Sequence, residues 1–211
     1  MKNKLALLFP AICLVMLPAF SASAHADTLH LKTLGPTVAY EPIYPFGFSV
    51  NGSAATTNLM CLDLNRNVSI GENFNVSILN WATASVAYKE EAYIFSQLGK
   101  GTYTDAAVQF AAWDIFDPTG INLLHISPST HNSMQSLLAA AQAAVLTLPS
   151  TFYNGFVIYI PLTDPTSQMA WNGQGIPQEF IGYTPEPSSL ILFGSGLIGL
   201  AGIARRRFVR S

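Results

Sequence analysis

The chain has 211 residues, half of them hydrophobic and 10% charged, with 10 Lys and Arg against 12 Asp and Glu. Six of the ten basic residues (Lys2, Lys4, Arg205, Arg206, Arg207 and Arg210) lie at the two ends, and all twelve acids lie between them. The middle of the chain therefore sets 4 basic residues against 12 acidic ones, a balance of −8, which argues against nucleic acid as a partner.

Residues 1–26 read as a secretory signal peptide. Lys2 and Lys4 precede an apolar core from Leu5 to Phe20, and Ala22-Ser23-Ala24 or Ala24-His25-Ala26 offers the small residues of a cleavage site, with cleavage after Ala26 expected. Cys13 sits in the apolar core and leaves with it. Cys61 is then the only thiol of the exported protein, so no disulfide can form within it, although an intermolecular one can.

Residues 27–183 have the length of one domain. Strands are predicted at Thr37–Tyr40, Phe46–Val50, Leu59–Leu64 and Phe74–Leu79, punctuated by Pro42, Pro45, Asn51-Gly52 and Gly71. Alternation in the third reads as a half-buried strand, with Leu59, Cys61 and Asp63 on one face and Met60, Leu62 and Leu64 on the other. Asp63-x-Asn65-x-Asn67 fails as a calcium loop, because Val68 stands where the loop needs glycine and Phe74 where it needs glutamate. A polar turn is the better account.

From residue 83 the period becomes helical. Ala87, Glu91, Ile94, Phe95 and Leu98 form one stripe, stopped at Gly99. Thr104 caps a second helix carrying Val108, Ala111, Ala112 and Ile115 and ending at Asp117-Pro118. Ser127-Pro128 opens a third that runs to Pro149 with Met134, Leu137, Leu138, Ala141, Ala144, Val145 and Leu148. Strands return at Phe156–Ile160 and Gln178–Tyr183. The order predicts an α+β domain with a β-sheet or sandwich core and an inserted group of about three helices.

In the second helix Gln109 and Trp113 are four apart and stack on one face, beside the Val108 stripe; spacing alone is equally consistent with an ordinary solvated glutamine. Met60-Cys61-Leu62-Asp63, Val108-Gln109-Phe110-Ala111-Ala112-Trp113 and Pro177-Gln178-Glu179-Phe180-Ile181 occur in the order found in thioester domains. Most of residues 55–183 thus resembles that family, best known from Gram-positive surface adhesins. The resemblance implies Cys61 as thioester sulfur, Gln178 as acyl donor, and Gln109 and Trp113 as the helix face packed around the bond. It implies a protein that acts once on an amine or hydroxyl of a partner surface, and so is not a turnover enzyme. Gln174, in a glycine-flanked turn sequence, is a rival donor. Family adhesins sit on peptidoglycan-anchored stalks, whereas this chain has a single domain and a different tail.

That tail begins with Thr184-Pro185-Glu186-Pro187. Residues 188–204 form an uncharged run of 17, near the lower limit of roughly 17 residues for a membrane-spanning helix, and Arg205-Arg206-Arg207 follows. Basic residues at both termini put both on the cytoplasmic side and the middle outside. Motif, helix and basic tail together (residues 184–211) resemble the PEP-CTERM sorting signal. The resemblance implies processing at Pro185, Glu186 and Pro187 by an exosortase-type membrane protease, and a Gram-negative cell surface or matrix as destination.

The competing reading is a passive matrix- or exopolysaccharide-associated binding module in which Cys61 is a small buried hydrophobe. His125 and His131, near a proline-flanked helix start, read as surface histidines rather than as bases for Cys61. One thiol and four scattered histidines give no metal-ligand spacing, and no cofactor is indicated.

Overall fold

The computed structural model describes residues 27–66, 68–162 and 177–184. Residues 1–26, expected to be a signal peptide, lie outside them, as do Gln174, Pro185, Glu186, Pro187 and the apolar run 188–204. Among the described residues no helix is long and apolar enough to cross a membrane.

The strands are β1 (Asp27–Thr33), β2 (Thr37–Val38), β3 (Glu41–Pro42), β4 (Phe46–Val50), β5 (Thr57–Cys61), β6 (Asn73–Ile78), β7 (Phe156–Pro161) and β8 (Phe180–Tyr183). Six of them close an antiparallel barrel in the order β1-β4-β5-β8-β7-β6, and β2 with β3 forms a separate two-stranded sheet. The α+β class and the β-sheet core agree with the expectation from sequence, but the sheet closes into a barrel rather than forming a sandwich. Closure depends on β1, which pairs with both β4 and β6 and was not among the predicted strands. A closed ring leaves no unpaired edge between its first and last strands.

Between β6 and β7 the chain forms α1 (Val86–Phe95), α2 (Asp105–Phe116), α3 (Pro118–Leu123), α4 (Pro128–Ala144) and a short 3-10 turn at Ser150–Gly155. Four helices replace the expected three, for a local reason. The Asp117 side chain accepts the Gly120 N–H at 2.9 Å, and Pro118 occupies the first helical turn. A dipeptide that ends α2 therefore also starts α3. The Thr104 hydroxyl caps α2 by accepting Ala107 N–H at 3.2 Å, and Ser127 caps α4 through Thr130 N–H at 3.2 Å. The strand predicted at Thr37–Tyr40 ends at Val38, because Ala39 and Tyr40 take positive φ and turn the chain into β3.

Across the barrel, Leu31 lies opposite Phe48, Phe46 opposite Leu59, and Phe180 opposite both Cys61 and Tyr159. Phe180 is fully buried, with ring centroids 4.6 Å from Phe48, 5.7 Å from Phe46 and 6.4 Å from Phe74. Such pairs add about 0.5–1.5 kcal/mol each beyond the area they bury. A Cβ on Gly182 would stand 2.4 Å from Leu59 Cδ2, so the absent side chain lets β8 lie against β5.

β5 is not half-buried as its alternation suggested. Leu59, Met60, Cys61 and Leu62 are all fully buried, because α2 packs on β5 and α1 on β8, covering the outer face as well. The strand also ends at Cys61 rather than Leu64, and β8 begins at Phe180, two residues after Gln178.

Candidate functional site

The site lies where β5 and β8 leave the barrel. Cys61 stands opposite Phe180, and Leu62 N–H donates to the Glu179 carbonyl at 2.9 Å, so the antiparallel register continues past both strand ends. The next step of that register sets Asp63 opposite Gln178. The Gln178 side chain therefore reaches the Asp63 backbone although the two residues are far apart in sequence.

The Asp63 carbonyl oxygen is the meeting point. Cys61 Sγ donates to it at 3.1 Å and Gln178 Nε2 at 3.0 Å, so Sγ and the Gln178 amide nitrogen are separated by no more than those two distances together. Asp63 N–H in turn points at Sγ, 3.4 Å away. Gln178 Nε2 also donates to the Arg66 carbonyl, whereas Gln178 Oε1 is buried with no partner. The Asp63 carboxylate accepts Asn65 N–H at 2.9 Å and pairs with Arg66 Nε at 2.8 Å, and Arg66 Nη1 reaches the Pro177 carbonyl at 3.5 Å. The turn after β5 is thereby clamped to the segment that carries Gln178.

Helix α2 supplies the roof. Gln109 is fully buried, which removes the solvated-residue reading. Its Nε2 donates to the Cys61 carbonyl at 2.6 Å and its Oε1 accepts Tyr44 N–H at 3.1 Å. One amide thus ties the end of β5 and the loop before β4 to the helix. Trp113, one turn on, is 2% exposed. Its indole N–H acts on the Cys61 sulfur in a way that favours the thiolate, but falls short of a full hydrogen bond and has no other partner.

Burial pushes the Cys61 thiol up to about 12, against the smaller downward pull of its Asp63 backbone contact and of Trp113. The sulfur is protonated at neutral pH. Glu91 on α1 is fully buried with neither carboxyl oxygen partnered, and desolvation, followed by repulsion from Glu90 and Glu179, raises it well above the usual carboxylate range. Glu179, next to Gln178, is also raised by burial, with partial relief from Tyr88 Oη, which donates to its Oε2 at 2.8 Å, and from Arg66.

Cys61, Gln178, Gln109 and Trp113 are thus gathered in one place. His125 and His131 are exposed around the start of α4. A cleft of about 510 Å³ between α1, α2 and α4, lined among others by Glu90, Asp114 and Gln135, includes none of the four site residues. No group of three or more metal-ligating side chains occurs among the described residues. Sequence reasoning missed the Asp63 carbonyl, Tyr44, Arg66 and Glu91. Only Glu91 carried a signal, as a charged residue inside an apolar helical stripe.

Thr184 follows β8, its N–H donating to the Gly155 carbonyl at 2.9 Å and its hydroxyl to the Asn154 carbonyl at 3.0 Å. Residues 184–207 match the PEP-CTERM protein-sorting motif. No curated protein and no solved structure matches the chain. The motif supports export and sorting to the cell surface or extracellular space of a Gram-negative bacterium, with processing by exosortase, a membrane protease. The matched segment begins at Thr184, after Cys61 and Gln178, and no comparison supports a likeness of the rest of the chain to thioester domains.

Proposed function

We propose that the exported domain forms an internal thioester between Cys61 and Gln178 and uses it once, to attach covalently to an amine or hydroxyl on a partner surface. The observation that carries this reading is the shared Asp63 carbonyl, which holds a thiol and a glutamine amide together across the β5–β8 junction. In the reaction Cys61 Sγ attacks Gln178 Cδ, the C–N bond breaks, and the thiol proton leaves with the amide nitrogen as ammonia. A thiol raised to about 12 gives up its proton within this step rather than before it. An incoming amine then takes the acyl group, the C–S bond breaks, and Cys61 returns as a thiol.

Burial supports the same reading. Cys61 is wholly enclosed, so water is kept from the sulfur, whereas Gln178 retains 7% exposure and is the side from which a nucleophile arrives. The product is a tether on an exported protein, and no turnover follows.

The passive-module reading has one observation in its favour: the Cys61 thiol already has a hydrogen-bond acceptor and a raised pKa, as an inert core cysteine has. Incubating the exported domain with a labelled primary amine and mapping the peptides separates the two. Label on Gln178 is the expected result. No label at any glutamine of the native domain is the result of a passive module.

A further inference from the structure

Among the buried polar atoms around Cys61 that lack a partner, which include both Glu91 carboxyl oxygens, two are complementary. Trp113 Nε1 is a donor without an acceptor, and Gln178 Oε1 is an acceptor without a donor. Buried polar groups are rarely left unpaired, because each costs about 1–3 kcal/mol. Finding both signs beside one sulfur calls for a state of the molecule in which they are used.

Helix α2 fixes where the indole lies. Gln109 grips the Cys61 carbonyl at 2.6 Å, Trp113 stands one turn further along, and its N–H acts on the sulfur. The Gln178 amide, for its part, is turned with its nitrogen on the Asp63 and Arg66 carbonyls, which leaves its oxygen on the other side of the group. Among the described residues, the other buried side-chain groups without partners are the Glu72 and Glu91 carboxyls and the Tyr153 hydroxyl. Tyr153 stacks on Trp81 at 5.4 Å and Glu72 precedes β6, so both belong to other parts of the barrel.

Resting on the thioester reading above, we infer that the Trp113 indole N–H is the oxyanion donor of this site. When Sγ adds to Gln178 Cδ, the C=O bond opens and the electron pair moves onto Oε1. The indole N–H donates to that oxygen, and no proton is transferred to it. As the C–N bond breaks and ammonia departs, the pair returns to form the thioester carbonyl, which keeps the Trp113 hydrogen bond. Attack by an amine passes through the same charge on the same oxygen, so one donor serves both formation and use of the bond.

The test compares wild type with Trp113→Phe and Glu91→Leu in the exported domain. Three readouts are followed: the rate of ammonia loss by intact mass, the rate of methylamine capture, and the thioester carbonyl stretch by infrared difference spectroscopy. Loss of one such donor slows a step about 100-fold or more. Trp113→Phe is therefore expected to slow both steps by about that factor and to move the carbonyl stretch to higher frequency, with Glu91→Leu leaving the stretch in place. A folded Trp113→Phe protein that never loses ammonia counts with the slow result. If the variant does not fold, benzothienylalanine at position 113, which keeps the ring shape and lacks the N–H, takes its place. Wild-type rates and an unmoved stretch in the Trp113 variant would overturn the assignment, as would the effect appearing in Glu91→Leu instead. Failure of the underlying thioester reading is seen separately, as a wild-type protein that never loses ammonia.

Discussion

The middle of α2 and the approach to β8 each bury a glutamine against β5, and they treat it differently. Gln109 uses both ends of its amide, one on Tyr44 N–H and one on the Cys61 carbonyl. Gln178 has its nitrogen crowded against two carbonyls and its oxygen unpartnered. A satisfied amide is a structural clamp, and the half-satisfied one beside a thiol is the group that the proposed thioester reading takes as the reactant. The same residue type thus serves two ends, and the difference lies in which atoms are left without partners.

The largest expected effect breaks the comparison on the reactive side. Cys61→Ala and Gln178→Ala each abolish labelling by a small amine, and Gln174→Ala does not; peptide mapping after amine treatment checks all three. Retained labelling in Gln178→Ala would move the acyl donor elsewhere. On the structural side, Gln109→Leu leaves Tyr44 N–H and the Cys61 carbonyl unpaired, which costs about 2–4 kcal/mol. Gln178→Leu leaves the Asp63 carbonyl its Cys61 donor and removes the unpartnered Oε1, so its net cost is about 1 kcal/mol or less. Urea unfolding of the two variants tests that order, and equal losses would remove the distinction between clamp and reactant.

Glu91 sharpens the comparison through pH. Its folded-state pKa lies well above the unfolded value near 4.5, so the folded state binds more protons and stability falls as pH rises above that value toward the folded pKa. Glu41, Glu72, Glu90, Asp114 and Glu179 are raised as well and act in the same direction. Glu91→Gln is expected to flatten the decline and to raise the melting temperature at pH 7 relative to wild type; a variant with an unchanged pH profile would contradict the burial of a neutral Glu91. The smallest effect belongs to the cap of α2, where Thr104→Ala costs about 1 kcal/mol and leaves amine labelling in place. Thermal unfolding alongside labelling checks both halves.

How much of this was legible in the sequence follows from the range of the forces involved. The i,i+4 pair Gln109 and Trp113, the Thr104 and Ser127 caps and the α4 stripe at Met134, Leu137, Leu138 and Ala141 are local and stand where their spacing put them, although α4 ends at Ala144 rather than running to Pro149. Pairing of the last strand with the Cys61 strand was readable only as a plausible arrangement, because register across so many residues is set by the whole barrel. Barrel closure was not readable: Asp27–Thr33 alternates correctly at Leu29 and Leu31, but its charged and polar neighbours and its place beside the expected signal cleavage site hid it. Burial of both faces of β5 was hidden too, since a strand's own pattern does not tell that helices cover its outer side. At the site the residue types were legible and the atom that joins them was not. A backbone carbonyl, that of Asp63, carries no side-chain signature.

Resistance of Cys61 to thiol reagents does not separate the two functional readings, since a fully buried thiol raised to about 12 resists them with or without an acyl bond. The most direct measurement is the intact mass of the exported domain, purified from its host without amines and kept from hydrolysis. The thioester account predicts the sequence mass less one ammonia, restored in full by Cys61→Ala or Gln178→Ala once those substitutions are allowed for. A wild-type domain at its full sequence mass would contradict it.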